Sequence, residues 1–147
     1  MLLPEIDTEK TANNVRRFLK EDYPRLCRQA GENQSFIKSV VYNGMPKSPS
    51  HGNPVEMKIT SCLWAQEALR AVYRALEFCS RDSRIIISER YGNHKTAWEA
   101  AQMLGYEKTR YHERQNQAYI EFADAFESTG RRLFEDPSRA DLHVYKK

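Results

Sequence analysis

A chain of 147 residues with 40% hydrophobic and 29% charged side chains has the balance of one globular domain, or of a small domain carrying a helical arm, with a modest core. Its formal net charge of +3 is too small by itself to argue for nucleic acid. The opening MLLPEIDTEK is too poor in consecutive apolar residues for a signal peptide, and no stretch approaches the roughly 20 apolar residues that cross a bilayer, so a cytoplasmic protein without a membrane partner is expected.

From Thr8 onward, Val15, Phe18, Leu19, Tyr23, Leu26, Cys27 and Ala30 recur at steps of three and four, which predicts an amphipathic helix capped by Asp7 or Thr8 and ended by Gly31. Pro24 lies inside the pattern, so the helix either kinks near Asp22 or restarts there with that aspartate as cap. Residues 32–53 crowd proline, glycine, serine and asparagine into NGMPKSPSHGNP and read as a long loop, a joint between an N-terminal arm and the rest. Asn53 followed by Pro54 then reads as a helix start. Its stripe of Val55, Ile59, Cys62, Leu63, Leu69, Val72, Tyr73, Leu76 and Cys79 extends to Ser80, long enough to pack against the first helix or against a second copy of the chain.

SRDSRIIISERYGN predicts a short helix with Ile85, Ile86 and Ile87 inward and Gly92 as a left-handed cap. A following helix, capped by Thr96, is expected to turn Trp98, Ala100, Ala101 and Leu104 inward. It stops at Gly105, because glycine inside a helix costs about 1 kcal/mol relative to alanine and serves better at a turn. The last helix, 107–127, anchors itself through Tyr111, Gln115, Ala118, Tyr119, Phe122, Ala123 and Phe126. Residues 128–147 read as a polar, mobile tail whose apolar LHVY end is suited to dock back as a strand or turn. The organisation is thus an arm and loop (1–53), a connecting helix (54–80), a helix-turn-helix (81–127) and a tail (128–147), all-α throughout.

Two helices joined by a glycine turn make a unit that lays its second helix in the DNA major groove while the first supports it. The outward side of 107–127 begins with Lys108, Thr109, His112, Glu113 and Gln117, whose donors and acceptors suit base edges. Lys95, Thr96, Arg110 and Arg114 fall where phosphates would pass. No catalytic residues are expected, because His112 beside Glu113, and Asp136, Asp141 and His143 in the tail, lack a recognised spacing. No metal or cofactor is expected either: Cys27, Cys62 and Cys79 show no C-x-x-C spacing and read as buried thiols.

LGYEKTRYHERQNQAYIEFADAF resembles the C-terminal helix-turn-helix of the ArpU family of phage and prophage transcriptional regulators, itself similar to region 4 of bacterial sigma factors. The resemblance extends to the LLPEID start, the MPKSPSHGNPVE loop, RIIISERYG and the HVYKK end. It implies a DNA-binding regulator of late phage genes, with Lys108, Thr109, His112 and Glu113 reading bases and Arg110 and Arg114 holding phosphates. Double-stranded promoter or operator DNA is the implied partner, with RNA polymerase and a second copy of the chain as further candidates. The family commonly carries a serine before the recognition helix and a basic run along it; here Glu107 and RQNQ stand in those places, which implies a different operator preference, or reliance on dimerisation or on basic groups elsewhere.

Overall fold

The computed structural model describes residues 2–36 and 54–147, with side chains from residue 61 onward in the second part. The loop over 37–53, the Asn53 cap and the side chains of Val55 and Ile59 lie outside the described residues. Among the described residues six α-helices make up the body: α1 (Thr8–Arg17), α2 (Tyr23–Ala30), α3 (Pro54–Glu77), α4 (Arg81–Ile87), α5 (Ala97–Leu104) and α6 (Lys108–Thr129). The described residues are all-α. Among the described residues the only β-type pairing is an isolated antiparallel bridge, Ile6 with Tyr145.

α1 starts at Asp7, whose carboxylate accepts the Lys10 amide at 3.1 Å, and passes into α2 through a π-turn over Phe18–Asp22. Pro24 explains that turn. A proline ring clashes with the carbonyl four residues earlier, and the wider π-turn absorbs the misfit, so the helix neither breaks nor restarts: Asp22 makes no side-chain cap. Gly31 ends α2 in the left-handed conformation, at φ 72°.

One hydrophobic core runs through all six helices. The long α3 buries Leu69, Val72 and Leu76 and packs against α2 and α6, so the described part of the stripe is used within the chain. α6 lies against α1 through aromatic rings, with Phe18 centred 5.9 Å from Phe122 and 5.0 Å from Phe126. The described N-terminal residues, from Ala12 to Phe36, are therefore built into the same core as the C-terminal helices.

Ile86 and Ile87 are buried as expected and Ile85 is half-buried, but Gly92 is not a left-handed cap. It closes a second π-turn, Ser88–Gly92, and the left-handed residue is His94, at φ 57°. Gly92 is needed for closeness instead: a Cβ there would sit 2.7 Å from Cδ2 of the buried Phe36, which stacks on Tyr23 at 4.6 Å. Gly92→Ala should lower stability by about 1–3 kcal/mol, the usual penalty for overpacking, measured by chemical denaturation.

The tail is docked, not mobile. After short 3-10 turns at Arg131–Leu133 and Pro137–Ala140, Val144 accepts the Asp7 amide at 2.6 Å and donates its own amide to the buried Thr11 hydroxyl at 2.9 Å. His143 pins the same segment to α6. Its Nε2 lies 2.7 Å from Asp124, and its Nδ1 lies 2.5 Å from Asp141 and 3.4 Å from Glu127. Sequence reading singled out Asp141 and His143 but not their α6 partners Asp124 and Glu127, which lie up to 19 positions away.

Burial alone pulls the His143 pKa down, but hydrogen bonds to Asp124 and Asp141, with their charge, outweigh it and raise the pKa above its ordinary 6.5. A raised histidine pKa contributes stability that is complete below the ordinary value and is lost as pH climbs through the raised one. Asp141 works in the opposite sense: burial pushes it up, hydrogen bonds from Tyr145 and His143 overcome that, and its lowered pKa gives support that fails only in acid. The melting difference between wild type and His143→Gln should therefore be largest in mildly acidic buffer and shrink as pH rises past 6.5.

Candidate nucleic-acid interface

Thr96 and Glu99 cap α5 reciprocally, each side chain holding the other's backbone amide at 3.1 Å. Ala100 and Ala101 are buried, and their small size allows α5 to sit close to its neighbours. At the far end the Gly105 amide bonds to the Gln102 carbonyl and the Tyr106 amide to the Ala101 carbonyl, the pair that defines a Schellman stop. Gly105 takes φ 74°, a conformation that L side chains adopt only under strain. The chain then straightens over Glu107, at φ −73° and ψ 161°, and α6 begins at Lys108. Tyr106, half-buried, fixes the turn from below by donating its hydroxyl to Asp82 of α4 at 2.5 Å.

α6 has two characters along its first half. Tyr111, Gln115, Ala118 and Tyr119 are buried, with the Tyr111 hydroxyl donating to Gln115 at 2.9 Å and the Tyr119 hydroxyl 2.6 Å from that of Tyr91. Lys108, Thr109, Arg110, His112, Glu113, Asn116 and Gln117 are exposed on the other side, and Lys95 and Thr96 are exposed at the start of α5. Two of the cations on this surface are paired. Arg110 sits 3.9 Å from Glu113, and Lys95 lies 3.9 Å from Glu99; such exposed pairs stabilise by less than about 1 kcal/mol and open readily.

The chain is 33% identical over 131 residues, covering 85% of it and 92% of the relative, to the protein named "Putative autolysin regulatory protein ArpU" in Enterococcus hirae. A protein of the same name in Streptococcus phage O1205 is 32% identical over 130 residues, covering 86% of this chain and 94% of its own. The chain belongs to the ArpU family. No family model matches it, and no solved structure does.

Two expectations about this ArpU-family chain need correction. Arg114 does not reach outward with Arg110. Its side chain is only 16% exposed and points along α6 toward the start of α4, donating from Nη2 to the Ser80 hydroxyl at 2.7 Å and pairing with Glu121 at 3.5 Å. Glu121 completes the cluster, accepting the Ser80 amide at 2.7 Å and the Ser83 hydroxyl at 2.8 Å. Ser80 makes no side-chain cap for α4, so the Glu121 carboxylate performs that role from another helix. Burial pushes the Glu121 pKa up, but these donors and Arg114 pull it below the ordinary carboxylate value.

Trp98 is the second correction. Ala97, Ala100, Ala101 and Leu104 share one arc of α5, and the residue after Ala97 turns about 100° away from it. Trp98 is consequently 71% exposed.

Proposed function

We propose that the chain is a sequence-specific double-stranded DNA-binding transcriptional regulator, in which α5, the Gly105 turn and α6 act as a helix-turn-helix of the sigma region 4 type. One observation carries this reading: the first turns of α6 are anchored by a buried face and present an unbroken polar face immediately after a rigid bend. A helix so held can enter a major groove with Lys108, Thr109, His112 and Glu113 toward base edges. Arg110, Gln117, Lys95 and Thr96 flank it at phosphate distance from such a groove, and Arg114 holds the unit rigid from behind.

The names of the relatives, autolysin regulatory proteins of a bacterium and of a phage, support control of lysis functions; packaging and structural operons belong to the same proposal only through the resemblance to regulators of late phage genes. A mobility-shift assay with purified protein on DNA upstream of a late operon tests the reading, and complexes held through several phosphates should weaken steeply as salt rises.

The pairing of Arg110 with Glu113 and of Lys95 with Glu99 favours a second reading, a sigma-like adaptor that acts mainly by touching RNA polymerase. A specific shift that forms only when polymerase is present would select it.

A further inference from the structure

Resting on the helix-turn-helix reading, we infer that Trp98 is a backbone contact for duplex DNA, its indole lying along a sugar and its N–H donating to a phosphate oxygen. Trp98 is 71% exposed at the start of α5, where it seals nothing in the core. The other tryptophan behaves differently: Trp64 packs edge-on to Phe134 at 6.0 Å and donates its indole N–H to the Leu133 carbonyl at 3.0 Å. An exposed indole presents a donor that cannot accept, beside a large apolar face, which suits an oxygen-rich anion flanked by a sugar.

Position selects the occupant. Trp98 forms one wall of a groove of about 400 Å³ between α5 and the first turn of α6, and Lys108 and His112 form the other. The groove is therefore continuous with the surface assigned to base reading, and Lys95, three residues before Trp98, is exposed just ahead of α5. Protein–DNA complexes place many of their hydrogen bonds on phosphate and sugar, and such contacts set register without reading sequence. A helix in the groove with its supporting helix alongside brings α5 over the strand that borders the groove. Trp98 is thus a positioning residue for the duplex, whereas Lys108 and His112 discriminate among bases.

The experiment uses the full chain with fluorine-labelled tryptophan, its two resonances assigned with Trp98→Phe, titrated with a short mixed-sequence duplex at low salt. The Trp98 resonance should shift and broaden while that of Trp64 stays. Trp98→Ala should bind the duplex about tenfold more weakly whatever its sequence, the loss of one charge-assisted hydrogen bond, with unchanged melting temperature; Trp98→Phe should fall between. If the duplex binds but the Trp98 resonance does not move and Trp98→Ala binds like wild type, this inference is overturned and the functional reading stands. If no duplex binds, both are overturned.

Discussion

Replacing Phe122 by alanine is expected to remove about 3–5 kcal/mol of stability, a large share of what a domain of this size possesses. The ring is fully buried where α6 meets the π-turn between α1 and α2, stacked on Phe126 at 5.6 Å and tilted against Phe18 at 5.9 Å. Truncation removes apolar burial and leaves a void bordered by rings anchored in different helices, which collapse poorly. Thermal or urea unfolding measures the loss. Because α6 is the helix proposed to enter the duplex, Phe122→Ala should also weaken duplex binding at temperatures where it begins to unfold, and not below them.

Glu121→Ala is expected to lose about 2–4 kcal/mol, somewhat less than breaking a fully buried ion pair because Glu121 keeps 25% of its side chain exposed. Its removal strips the α4 N-terminus of its cap and leaves the Arg114 guanidinium with the Ser80 hydroxyl alone among these partners. Arg114→Ala should behave as a stability variant of the same kind. Arg110→Ala should contrast with both: an exposed arginine in a 3.9 Å surface pair costs less than about 1 kcal/mol on removal. Its effect should fall on duplex affinity. Unfolding curves and binding isotherms on the three variants separate the roles, and equal stability losses for Arg110→Ala and Glu121→Ala would show the assignment to be wrong.

What was legible in the sequence follows from how far each signal reaches. Apolar steps of three and four placed the helices, since that periodicity is local: α3 ends at Glu77 against an expected Ser80, and α6 begins at Lys108 against an expected Glu107. The stop at Gly105 was equally local, because a left-handed φ demands glycine within the turn itself. The misreadings each depended on a distant partner. Gly92 serves Phe36, Arg114 serves Ser80, and the tail is held by Thr11 and Asp124, none of them neighbours in sequence. Trp98 is the exception, since its outward direction follows from the angular spacing on a short helix and was hidden by the habit of assigning large aromatics to the core.

The same distinction limits the site. A polar face on a helix can be read from a sequence, but which of its charges are free to face a ligand depends on tertiary pairing. Arg110 and Arg114 are four residues apart on one helix, yet one is 71% exposed and the other 16%. No local pattern distinguishes them. The acidic residue seven positions beyond Arg114 is the relevant signal, and it acquires meaning only when Ser80 is brought beside it.

The central claim, that the exposed start of α6 reads duplex DNA, is tested most directly by nuclease footprinting of the purified chain on DNA upstream of phage late genes, with wild type and Lys108→Ala side by side. A discrete protected segment is predicted, with Lys108→Ala relaxing base preference within it by about 1–3 kcal/mol at one position. No protection at any salt concentration, with or without RNA polymerase, would contradict it.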